Sequence, residues 1–132
     1  MEMTTKKKIL VIDDDIDYLF QMKRHIENFG FETVTINNQK EGEKYVSENK
    51  PDLVIVDLMM ENQDSGFVLC YKIKKQYPEL PVIIATAVTA ETGIEFDIDS
   101  EEDRQWIKAD AIIEKGIRPD QLHMEINKLL KI

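Results

Sequence analysis

Five short apolar runs, spaced along the chain with helical patterns between them, constrain the fold more than any other feature. They are 8–12, 32–36, 53–57, 82–86 and 111–114. Four are near-continuous in Val, Ile and Leu, the composition of strands buried on both faces. The run Glu32-Thr-Val-Thr-Ile36 alternates instead, and predicts an edge strand. Between the first two runs, Ile16, Leu19, Phe20, Lys23, Ile26 and Phe29 recur with helical periodicity, and Gly30 supplies a stop. A second helix is expected over about 39–48, shallow because only Tyr45 and Val46 are apolar. A third begins at Ser65-Gly66, turns Phe67, Cys70, Ile73 and Tyr77 inward, and stops at Pro78. A further helix is expected around 100–108. The last starts at Pro119, an N1 position, and aligns Leu122, Ile126, Leu129 and Leu130.

Alternating strands and helices imply a parallel sheet with helices on both faces and right-handed crossovers. The expected architecture is α/β, a flavodoxin-like (βα)5 three-layer sandwich. Its central five-stranded parallel sheet takes the order 2-1-3-4-5, with a switch point between strands 1 and 3. The 132 residues suit one domain, with a core over about 7–131 and no output domain. The lone Cys70 excludes a disulfide framework and reads as a small buried hydrophobe. No apolar run reaches the length of a membrane span, and no signal peptide precedes the first strand, so a cytoplasmic location is expected. Seventeen basic against 26 acidic residues leave a charge of −9, which argues against nonspecific nucleic-acid binding.

The strand ends carry the chemistry. The first run delivers Asp13, Asp14 and Asp15 to its C-terminal tip, and the third ends on Asp57. These are the two strands that flank the expected switch point, where ligands of such sheets bind. Carboxylates ~5 Å apart repel by roughly 3 kcal/mol per pair at an effective dielectric near 20. A cluster of this kind suits a hard cation or carboxylate chemistry. Thr86 closes the fourth run and Lys115 follows the fifth. Several carboxylates, a hydroxyl and an ammonium suit phosphoryl transfer to a carboxylate. Mg²⁺ offsets the repulsion, an aspartate acts as nucleophile, and a lysine neutralises the transferring oxygens. Asp15 reads as the N-cap of the first helix.

In these motifs the chain resembles the receiver domains of two-component response regulators, as a stand-alone single-domain type. The likeness runs from Lys8 to Leu130. It rests on Ile9-Leu-Val-Ile-Asp13-Asp14, Pro51-Asp-Leu-Val-Ile-Val-Asp57, Pro81-Val-Ile-Ile-Ala-Thr86-Ala87 and Ala109-Asp-Ala-Ile-Ile-Glu-Lys115. The resemblance implies Asp57 as phospho-acceptor, and Mg²⁺ held by Asp14, Asp57 and the Met59 backbone carbonyl, with Asp13 acting through water. It implies that Thr86 moves toward the phosphoryl group and that Lys115 pairs with it. It also implies a phosphohistidine donor on a sensor histidine kinase or histidine phosphotransfer domain. The output would be a conformational signal to an unknown downstream protein, with no nucleic acid or membrane partner and a monomeric or weakly dimeric state. The receiver catalyses its own phosphotransfer and is not an enzyme in the metabolic sense.

Four departures stand out. Gly116 follows the lysine where the family carries a cis-peptide proline. Ile112 occupies the aromatic switch position. The loop after Asp57 lacks the usual proline and is one residue longer than usual. The segment 88–110 is extended and acidic. Met59 and Val88, both apolar, would flank the phosphoryl group and offer a hydrolytic water no hydrogen bond, so slow self-dephosphorylation is expected, accelerated by Met59→Asn. Two other readings remain at this level. One is a haloacid-dehalogenase-like phosphatase using Asp13 as nucleophile. The other is a degenerate receiver acting as a phosphorylation-independent binding module.

Overall fold

The computed structural model describes residues 6–58, 60, 65–87 and 109–132. Five strands appear: β1 (Lys8–Ile12), β2 (Glu32–Ile36), β3 (Leu53–Asp57), β4 (Val82–Thr86) and β5 (Ala111–Glu114). All neighbours pair in parallel, in the order β2-β1-β3-β4-β5. The strands end where the apolar runs end, and the alternating run Glu32–Ile36 lies at an edge. Among the described residues the helices are α1 (Ile16–Asn28), α2 (Gln39–Glu48), α3 (Ser65–Gln76) and α4 (Pro119–Leu130). The helix expected around 100–108 falls outside the described residues.

Side chains alternate across the sheet and build one core on each face. Ile9, Val11, Leu53, Ile55, Ile83 and Ile113 meet Leu19, Met22 and Ile26 of α1 and Leu122 and Ile126 of α4. On the opposite face Leu10, Ile12, Val54, Val56, Val82 and Ile84 meet Val46 of α2 and Leu69, Cys70 and Ile73 of α3. Three layers result, as expected. Cys70 is buried, and burial pushes its thiol up to about 12, so it behaves as an inert hydrophobe.

One helix sits differently from its periodicity. Leu19, Met22 and Ile26 form the buried stripe of α1, whereas Ile16 and Phe20 are exposed. The chain enters α1 from the tip of β1 through Asp15, whose carboxylate accepts the backbone N–H groups of Asp17 and Tyr18. That cap sets the helix rotation, and Met22 rather than Phe20 lands over the sheet. The shifted stripe leaves Ile16, Phe20 and Lys23 along an open groove shared with Tyr45 of α2.

The N-terminal edge of the sheet is tied by two aspartates. At the N-terminal edge, Asp52 accepts the Lys8 N–H at 2.7 Å and returns its own N–H to the Lys8 carbonyl. Asp110 repeats the arrangement on Val82, accepting at 2.8 Å and donating at 2.8 Å, and also pairs with Lys74 at 2.7 Å. Each fastens the residue before one strand to the first residue of its neighbour.

Candidate functional site

The C-terminal edge gathers the acids. Asp57 is the last residue of β3, buried and in register with Ala85 of β4. Asp13 follows β1, where its backbone N–H donates to Ile36 at the tip of β2. It is 1% exposed, and its Oδ1 accepts the Asp15 N–H at 2.9 Å. Asp14 beside it is exposed. Asp13, Asp14 and Asp57 each offer a carboxylate oxygen, and the three oxygens lie within 4.8 Å of one another. Asp15 turns away to cap α1, as its position predicts.

Lys115 comes from the far end of β5. Its N–H donates to the Thr86 carbonyl at 2.9 Å, which anchors its backbone across the strand pair. The ammonium reaches 2.7 Å from Asp13 Oδ2 and 3.2 Å from Asp57 Oδ1. The contact to Asp13 Oδ2 is an ion pair that does not meet hydrogen-bond geometry, so this buried oxygen keeps acceptor capacity. Thr86 is buried at the tip of β4, opposite Glu114 in the ladder. Ile112 is half-buried on the α2/α3 face, paired in register with Ile84. Met59 and Val88 lie outside the described residues, as does all of the acidic segment except Ala109 and Asp110.

Burial above all, then the neighbouring Asp13 charge, pushes the Asp57 carboxyl up to about 7, with Lys115 pulling the other way. Burial works against the Lys115 ammonium too, but its interactions with the Asp13 and Asp57 carboxylates outweigh it and hold Lys115 above its usual range. The pocket is therefore short of positive charge. One ammonium faces three carboxylates among the described residues. Hard oxygen donors with an unspent lone pair on Asp13 fit a divalent cation of the Mg²⁺ class.

Two residues of the pocket did not emerge from sequence motifs. Gly66, the second residue of α3, lies against the backbone of Asp57 and Leu58, and its N–H donates to the Leu58 carbonyl at 2.7 Å. A Cβ there would fall 2.6 Å from the Asp57 carbonyl oxygen and 2.6 Å from Leu58 Cα, so only glycine seats the helix this closely. Tyr18, in the first turn of α1, lays its ring against Lys115, with the ammonium 4.8 Å from the ring centroid. Burial, then Asp13 and Asp57, push its phenol above the usual range, so the hydroxyl stays protonated. An aromatic residue one turn after an acidic strand tip is the only signal that could have found it.

Comparison with known proteins agrees with this geometry. The family of response regulator receiver domains matches residues 9–127. The chain is similar to the probable transcriptional regulator ycf27 of Cyanophora paradoxa, 31% identical over 130 residues. The alignment covers 96% of the chain and 49% of that protein. It spans half or less of the curated relatives it matches. Its structure is similar to a CheY-like receiver domain protein from Methanospirillum hungatei, with a TM-score of 0.80 at 25% identity over 96% of this chain and 95% of that one. It is similar also to response regulator TrrA of Thermotoga maritima in complex with Mg²⁺–BeF. There the TM-score is 0.77 at 26% identity, covering 93% of this chain and 98% of that one.

Proposed function

This chain belongs to the response regulator receiver domain family, and from that premise we propose that it accepts a phosphoryl group on Asp57 in a Mg²⁺-dependent reaction. The observation that carries the reading is the Lys115 ammonium held between the carboxylates of Asp57 and Asp13, within a cluster of three acids at the sheet's switch point.

Asp57 is the nucleophile. Its Oδ forms the new bond to phosphorus as the bond from phosphorus to the donor breaks. From a phosphohistidine, the electron pair leaves on the imidazole nitrogen. Attack needs the carboxylate ionised, and burial beside Asp13 opposes that. Asp13, Asp14 and Asp57, together with the Met59 carbonyl, are the residues that would hold Mg²⁺. When bound, the ion neutralises their charge and that of the incoming oxygens. Lys115, 3.2 Å from Asp57 Oδ1, supplies a second positive charge that can pair with a phosphoryl oxygen. Thr86, at the tip of β4, is the hydroxyl proposed to respond. Ile112 on β5 is the proposed next member of the switch.

The donor is proposed to be a histidine kinase or phosphotransfer domain, and the output a contact with a downstream protein in the cytoplasm. No described helix is long and apolar enough to cross a membrane. The relatives that are named transcriptional regulators are about twice as long as the matched region, and that role is said of those proteins alone. The family match stands against a phosphatase built on Asp13. The retained, mutually repelling acids favour a phosphorylatable receiver over a degenerate one.

The test is incubation with a small acyl-phosphate donor and Mg²⁺, read by intact mass. One added phosphate is expected, absent in Asp57→Asn. No gain in the wild type, or an unchanged gain in Asp57→Asn, would overturn the reading.

A further inference from the structure

We propose that Tyr18 is a positioning residue whose ring holds the Lys115 ammonium at the acid pocket. This rests on the receiver reading and goes beyond it, because it concerns how this chain keeps its lysine in place.

Four observations converge. First, the Lys115 ammonium lies 4.8 Å from the Tyr18 ring centroid, inside the range of a cation–π contact. Second, ring and pocket share one hydrogen-bonded turn. The Tyr18 N–H donates to Asp15 Oδ1 at 3.2 Å, and the Asp15 N–H donates to Asp13 Oδ1 at 2.9 Å. Tyr18 is thereby tied to Asp13, the closest ion-pair partner of Lys115. Third, Tyr18 is half-buried and packs against the core on the α1/α4 face. Fourth, the residue just after Lys115 is not packed. Gly116 is exposed, and a Cβ built there meets nothing within 4 Å. Glycine leaves that backbone permissive. The Lys115 N–H bond to Thr86 fixes its backbone, and among the described residues the ammonium is held by side chains.

The Tyr18 hydroxyl separates ring from oxygen in this argument. It is buried with no hydrogen-bond partner among the described residues. An unpaired buried hydroxyl is a cost and not a tether. The favourable contact that places Tyr18 here is therefore its ring, and phenylalanine should do the same work.

The experiment uses Tyr18→Phe and Tyr18→Leu. Ring-current shielding of the Lys115 side-chain protons is measured by NMR without any phosphodonor. It should be present in the wild type and Tyr18→Phe, and absent in Tyr18→Leu. Phosphorylation by a small acyl phosphate is then followed at a fixed donor concentration, once the wild type has gained phosphate on Asp57. Tyr18→Leu should slow it roughly fivefold, the size of a partly desolvated cation–π contact. Tyr18→Phe should stay within about twofold of the wild type. In a Lys115→Ala background, Tyr18→Leu should have no further effect, whereas a general structural defect would add to it. Equal shielding in all three proteins, a Tyr18→Phe as slow as Tyr18→Leu, or an undiminished effect in Lys115→Ala would each overturn the proposal. Failure of the wild type to gain phosphate would count against the receiver reading alone, since the shielding measurement stands without it.

Discussion

The two ends of the sheet carry the same residue to opposite effect. At the N-terminal edge, Asp52 and Asp110 each accept a backbone N–H from the first residue of a neighbouring strand. Asp110 has Lys74 as a further partner. At the C-terminal edge, Asp13, Asp14 and Asp57 bring oxygens within 4.8 Å of one another around a single described ammonium. The acids at the first edge are satisfied one by one and fasten strands together. Those at the second edge face each other, and their charge is left for a ligand to neutralise. A carboxylate at a strand end is therefore not informative by type. What decides its role is whether donors or other carboxylates surround it.

The comparison breaks most visibly in the phosphorylation assay. Asp57→Asn should abolish the one-phosphate mass gain, while Asp52→Asn and Asp110→Asn should leave it in place. Loss of the gain in either of the latter would mean that the two edges are not functionally distinct.

A second measurement is the pH dependence of stability without metal. The Asp57 carboxyl rises from its ordinary 3.8 to about 7 in the folded chain, so between those values the folded state binds more protons than the unfolded state. Stability contributed by this group is present below its unfolded pKa and falls as pH rises toward 7. The loss by pH 8 should be about 2–4 kcal/mol. Denaturant unfolding at pH 4.5 and pH 8 should show it as a difference between wild type and Asp57→Asn, with the variant more stable at the higher pH. Equal pH slopes for the two proteins would remove the crowding argument.

Smaller and opposite in sign, Asp110→Ala should destabilise by about 1–3 kcal/mol, because the Val82 N–H at the strand start loses its acceptor. Asp52→Ala should do the same at Lys8. Thermal unfolding separates these losses from the Asp57→Asn gain. Smallest of the set is the metal effect. Mg²⁺ at ten times its dissociation constant should stabilise the wild type by about 1.4 kcal/mol and Asp57→Asn by less than half of that. An equal upshift in both would place the ion elsewhere.

Much of this was legible from residue order. Near-continuous Val, Ile and Leu runs can bury both faces only inside a parallel α/β sheet, and crossover handedness then leaves few topologies. Asp57 and Asp13 follow because a strand places its last residue and the one directly after it. The rotation of α1 was not legible. Ile16, Phe20 and Lys23 share its apolar pattern with Leu19 and Ile26, and both stripes are compatible with a helix. The Asp15 cap and the packing over Ile9 and Val11 chose Leu19, Met22 and Ile26. Nor did the acidic character of segment 88–110 reveal that Asp110 clasps Val82.

The order of apolar and polar residues determined the five strands, their parallel pairing and the acids at their tips, because those properties depend on periodicity along one element at a time. The tertiary structure alone decided which aspartates are satisfied and which are crowded. It alone laid Tyr18 against Lys115 and left only the space of a glycine at position 66. Each of those facts joins different elements of the chain, and their distances are set by how helices settle on the sheet.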